Sequence, residues 1–227
     1  MESNLIFTPS SVKPQLDILL QKYPYLQVVQ NDEQQIRLHG YIQVNRVAKD
    51  YPVCKEYLID IVIPLSSHKL PYVIDTGHVI KSSYPHQYES SILCLETDSR
   101  IRIHFVNGFN LVEWMDRYVE TYFFSYEYWL RFGVFPFGDR THGVQGILES
   151  YMDIFEVNSI HSAYYLMSYI AKSSYRGHLP CPCGSGRRIR DCHGDKIEKF
   201  CNSSNLRSIV LSDLSLCNQE FAGVIQR

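Results

Sequence analysis

Between Gln35 and Thr76 the chain alternates apolar and polar residues in three runs with short links. Gln35–Val47 alternates on both sides of Gly40, Tyr57–Pro64 is closed by its proline, and Pro71–Thr76 follows soon after. A period of two predicts strands. The links are too short for the helical crossover that parallel pairing demands, so the three strands are expected to form an antiparallel meander.

Helical spacing surrounds this block. Val12, Leu16, Leu19 and Leu20 form a stripe over residues 10–22, with Ser11 as the expected cap, Pro14 in the first turn and Pro24 beyond the end. After the meander, Leu111, Trp114, Met115, Tyr118 and Tyr122 predict a helix over 110–132, capped by Asn110. Phe132–Asp139 is a turn-rich break, and further helices are expected near 144–155 and 159–173. The fold class is therefore α+β.

The 227 residues suffice for one core with an appendage or for two modest domains. No apolar run reaches the roughly 20 residues that span a bilayer. Met1–Leu5 has no basic stretch leading into an apolar one, so no secretory signal is expected. A cytoplasmic location and reduced thiols follow as expectations. From residue 172 onward nine basic residues face five acidic ones, against a total charge of −2. That asymmetry places a boundary near 172–180 and divides the chain into 1–173, 174–200 and a tail at 201–227, partly disordered. The modest positive balance makes nucleic acid an unlikely general partner.

Five of the seven cysteines crowd the end. Cys181-Pro-Cys183-Gly-Ser-Gly186, a basic stretch, then Cys192-His193 offers three thiolates and an imidazole. Those ligands suit tetrahedral Zn2+ with no open position, hence a structural site. The pattern resembles the SEC-C motif, an accessory module found at the C-terminus of a protein translocase. The module is either a plain structural knuckle or a docking surface whose Arg187, Arg188 and Arg190 face an acidic protein surface or a phosphate backbone. Cys201 and Cys217 have no evident partners. Cys54 is expected to be structural.

Cys94 is expected to end a short apolar strand and lies eight residues after His86, which follows Pro85. Free cysteine is among the most buried residue types, so Cys94 is either a core residue or, given the polar stretch Glu96–Arg100, an exposed nucleophile. Tyr84-Pro85-His86 and Cys94-Leu95-Glu96 resemble the active-site segment of ubiquitin-conjugating enzymes. There His-Pro-Asn precedes the nucleophile and Leu-Asp follows it. Pro85, Cys94 and Leu95 match; Tyr84, His86 and Glu96 stand where that family has His, Asn and Asp.

The resemblance implies a ubiquitin-conjugating-enzyme-like fold and a thioester on Cys94. His86 would act at the oxyanion or as a base, with Glu96 and Asp98 orienting an incoming amine. His142, before the predicted helix at 144, is either a second participant or an ordinary helix-start residue. The segment through Glu149 and Tyr151 is loosely similar to one in bacterial members of the superfamily. With a SEC-C tail, the resemblance implies a prokaryotic conjugating enzyme of the kind encoded in antiphage operons such as CBASS. Its implied partners are a ubiquitin-activating-enzyme-like protein and a ubiquitin-like modifier or a cyclic-nucleotide synthase. The other class of reading is an inactive scaffold that binds protein or nucleic acid through the basic knuckle.

Overall fold

The computed structural model describes residues 5–225. They form two compact units. A sheet unit comprises Leu5–Glu96 and Asn107–Asp139; a helical unit comprises Thr97–Val106 and the chain from Arg140 onward. The chain thus leaves the sheet unit after Glu96, returns after Val106 and leaves again after Asp139. The expected α+β class is observed.

The sheet unit opens with α1 (Pro9–Lys22). Its cap is Thr8 rather than Ser11, because Pro9 fits the first helical position and moves the start upstream. Ser11 closes the capping box: its hydroxyl accepts the Thr8 amide at 3.0 Å while Thr8 Oγ1 accepts the Ser11 amide at 3.2 Å. Four strands follow, β1 (Leu26–Asn31), β2 (Gln35–Ala48), β3 (Tyr51–Pro64) and β4 (Tyr72–Asp75). They lie in that order, and every neighbouring pair is antiparallel.

β2 and β3 pair along their whole length, from Gln35 opposite Pro64 to Ala48 opposite Tyr51. Lys49 and Asp50 turn the hairpin with φ of 51° and 56°, the left-handed pair that matches strand twist. β3 begins six residues before the expected Tyr57, since Pro52 is tolerated beside the turn. β1 was not expected. Only Leu26 of its residues is buried, and a bulge interrupts its pairing at Val28/Gln30, so it has no clean alternation.

Ile36, Leu38, Ile42, Ile59, Ile61 and Val73 bury one face of the sheet. The expected helix over 110–132 covers it as three joined pieces: α3 (Leu111–Trp114), a π turn (Met115–Val119) and α4 (Glu120–Phe132). Asn110 caps it as expected, accepting the Glu113 amide at 2.9 Å. Phe123 stacks on Tyr57 with centroids 4.0 Å apart. Gly133, at φ 73°, ends α4 in the left-handed conformation.

The helical unit holds α2 (Asp98–His104), α5 (Gly143–Phe155), α6 (Ile160–Lys172), α7 (Gly194–Asn202) and α8 (Ser204–Ile225). α5 and α6 lie where the periodicity predicts. Asp98–Arg100 of the polar stretch after Cys94 form the first turn of α2. The division at 173 and 200 is not the one the packing follows. Cys181 and Ile189 share one buried cluster with Phe155 of α5, Leu166 of α6 and Val210 of α8. Residues expected as a tail are helical, and Leu206, Val210, Leu214 and Cys217 are buried. Among the described residues no helix is long and apolar enough to cross a membrane.

Candidate functional site

Cys94 does not end a strand. After β4 the chain loops out, and 91–93 returns through isolated bridges, Ile74 with Ile92 and Gln87 with Leu93. The Asp75 amide donates to the Ser91 carbonyl and the Leu93 amide to the Val73 carbonyl, both at 2.9 Å. Two buried side chains anchor the segment, Tyr84 and Leu93. Tyr84 inserts edge-on among Tyr122, Tyr126 and Trp129, with centroids 5.1 to 5.6 Å away. Burial pushes its phenol well above the ordinary tyrosine range. Tyr84 is therefore a packing residue.

These anchors set two residues side by side. The Cys94 amide donates to the His86 carbonyl at 2.9 Å, and the Tyr122 hydroxyl donates to the same carbonyl at 3.0 Å. A ring nitrogen of His86 and Cys94 Sγ lie within 4.8 Å. The Tyr88 hydroxyl donates to Cys94 Sγ at 3.7 Å. Cys94 is half-buried, so the sulfur is neither sealed in the core nor fully solvated. His86 Nε2 is 3.0 Å from Asp139 Oδ1. A thiol beside an imidazole that is itself held by a carboxylate is an arrangement suited to nucleophilic acyl transfer.

Glu96 is half-buried and is the last residue of the sheet unit's first segment. Asp98 belongs to the helical unit, where it opens α2 and pairs with Arg102 at 3.6 Å. A first-turn acid suits a helix N-terminus, which accounts for Asp98. His142 is the exposed N-cap residue of α5. Cys54 is exposed on β3. None of the seven cysteines is in a disulfide. Two participants escape sequence reasoning: Asp139 lies 53 residues from its partner, and Tyr88 sits inside the cysteine segment without a distinguishing pattern.

The helical unit carries the Cys/His cluster. Ligand atoms of Cys181, Cys183, Cys192 and His193 all lie within 4.8 Å of one another. Cys183 Sγ is 3.6 Å from Cys192 Sγ, and His193 Nδ1 is 3.3 Å and 3.2 Å from the Cys181 and Cys192 sulfurs. These separations exceed any disulfide bond and suit four ligands around a single metal ion. The loop is shaped for it. Gly184 and Gly186 take φ of 84° and 74°, and the Cys181 amide donates to the Arg187 carbonyl at 2.8 Å.

A second layer orients the ligands. The His193 ring presents Nδ1 to the Cys181 and Cys192 sulfurs. Ser185 Oγ and Arg187 Nη2 each lie 3.2 Å from Cys192 Sγ. Burial pushes the Cys181 thiol up to about 12. At Cys183 burial also raises the thiol, but hydrogen bonds from Ser185, Cys181 and Cys192 together outweigh it and the net shift is downward. Burial and the Lys196 charge keep His193 neutral to lower pH than usual. Of the three arginines, Arg187 turns onto Cys192, while Arg188 and Arg190 are exposed.

The chain matches no family model, no curated protein and no solved structure.

Proposed function

We propose that the protein is a cysteine-dependent acyl carrier of the ubiquitin-conjugating type. Its fold in this reading is that family's, and the order of elements supports it: a leading helix, an antiparallel meander, an irregular segment bearing the cysteine, then helices. The observation that carries the reading is the pairing of Cys94 Sγ with His86, held together by their shared backbone bond. In loading, Cys94 passes its proton to His86 and the thiolate attacks the carbonyl of a modifier's C-terminal thioester. The new C–S bond forms as the old one breaks, and the departing thiolate takes up the proton. In discharge, an amine attacks that carbonyl, gives a proton to His86, and Cys94 leaves. The partners this requires are a ubiquitin-activating-enzyme-like protein and a ubiquitin-like modifier or a cyclic-nucleotide synthase.

The Cys/His cluster is a structural zinc site in this reading. Tetrahedral zinc, with bonds of about 2.3 Å to sulfur and 2.0 Å to nitrogen, spaces thiolates by about 3.8 Å and sulfur from nitrogen by about 3.5 Å. The observed 3.6 Å and 3.2–3.3 Å agree with that spacing. Three thiolates on a divalent ion leave a net negative charge, which the Arg187 guanidinium and the N-terminus of α7 offset.

The test presents the protein with a ubiquitin-fold modifier activated as its C-terminal thioester. Wild-type protein is expected to form a thiol-reducible adduct that Cys94→Ala cannot form. An adduct that persists in Cys94→Ala sinks the assignment.

A further inference from the structure

We infer that Asp139 is the positioning residue of the cysteine site: it holds His86 so that the imidazole exchanges its proton with Cys94 through Nδ1. The inference rests on the reading of Cys94 as the nucleophile. It arises from a part of the chain that no motif marks, the turn between α4 and the end of the sheet unit.

That turn is built to deliver two side chains to one ring. Gly133 at φ 73° ends α4, and Gly138 at φ 86° bends the chain again just before Asp139. Both conformations favour glycine. Between them Phe135 packs edge-on against His86, with centroids 5.0 Å apart and planes at 75°. Tyr84 meets the ring from within the core at 5.5 Å and 73°. The two aromatic rings restrict the imidazole's rotation, and its side chain is only 15% exposed. Its remaining freedom is a ring flip, and the Asp139 carboxylate 3.0 Å from Nε2 selects one state. A carboxylate accepts and cannot donate, so Nε2 carries the hydrogen in the neutral ring and Nδ1 carries the lone pair.

His86 is placed between Cys94, Asp139 and the Tyr84 phenol, within the sheet unit. The Cys94 proton moves to Nδ1, leaving a thiolate beside an imidazolium whose second N–H is bonded to Asp139. The carboxylate stabilises that cation without itself taking a proton. The same ring accepts the proton of the attacking amine during discharge. Asp139 touches no reacting atom. It acts through His86 alone.

The experiment is alkylation of Cys94 in the full chain by iodoacetamide across pH, followed by mass of the Cys94 peptide. It needs no modifier. Wild type is expected to react at pH 7 about tenfold faster than Asp139→Asn, whose profile moves toward that of an ordinary thiol near pH 8.5. Above pH 9.5 the two rates converge, and Asp139→Glu recovers most of the neutral-pH rate. A profile in Asp139→Asn identical to wild type, or a loss of equal size at every pH, overturns the inference. Adduct formation with an activated modifier decides the conjugation reading separately. A Cys94 that accepts no modifier but still shows the Asp139-dependent profile refutes conjugation and leaves the positioning role intact.

Discussion

The amide of Cys94 and the carbonyl of His86 are joined at 2.9 Å, so sulfur and imidazole are two ends of one closed backbone turn. Their distance is set by the main chain, and a side-chain substitution removes chemistry without opening the turn. His86→Ala is expected to retain the fold while slowing transfer from Cys94 to free lysine by about 10²–10⁴-fold, the range of a lost acid–base group. Single-turnover discharge of the preformed thioester reads this directly.

Loss of metal should act on structure. Ile189 and Ile197 are fully buried beside the ligands, so the cluster is continuous with the core of the helical unit. Structural zinc supplies folding free energy directly. A chelator, or Cys192→Ser, is expected to remove one zinc per chain and lower the melting temperature by about 10 °C or more. Elemental analysis and a thermal melt check both halves of the statement.

Glu127 on α4 is buried and accepts from Lys55 at 2.5 Å and from the Tyr57 hydroxyl at 2.9 Å. The Lys55 side chain is largely exposed, so its removal costs little on its own side. It leaves the carboxylate buried without a cation. Lys55→Met is expected to destabilise the fold by about 2–3 kcal/mol, and Glu127→Gln in the same chain to recover part of it. Urea unfolding of the single and double variants measures the coupling.

Gly40 lies in β2 at φ 147°, and a Cβ there would run into the carbonyl oxygen of Tyr25. No flexible side chain can move aside, since the obstacle is backbone. Gly40→Ala is expected to displace β1 and cost about 2–4 kcal/mol. Faster amide exchange confined to β1 and its partner residues would show it.

Asp213 on α8 is buried and receives the Tyr151 hydroxyl at 2.7 Å. Burial raises its carboxyl pKa, a shift that hydrogen bonds from Tyr151 and Ser99 only partly oppose. A raised folded pKa means that the group favours folding most at low pH and that this is lost as pH rises through the folded value. Asp213→Asn is therefore expected to be more stable than wild type near neutral pH, with the difference vanishing in acid. Denaturant midpoints at both pH values give the sign.

The Cys/His cluster was legible because all four residues fall within Cys181–His193, and the meander because β2, β3 and β4 alternate. β1 was not, because an edge strand with a bulge buries too few side chains to alternate. α8 was read as a tail because its buried stripe includes Asp213, a charge that reads as surface until Tyr151 is placed against it. The Cys94–His86 pair was visible as a spacing within one segment. Asp139 was not, because nothing in residues 86 and 139 reveals that a turn after α4 brings them together.

The chain's repeated passage between its units has a consequence during synthesis. α2 leaves the ribosome before the helix that covers the sheet, yet it belongs with α5 and α8, which emerge after that helix. The sheet unit is complete only once Asp139 has been made, and the helical unit only with α8. A product stopped at residue 106 lacks the cover of its sheet, and one stopped before Ser204 lacks the last wall of its helical core. Incomplete chains therefore present apolar surface for chaperones and proteases until the final helix is released.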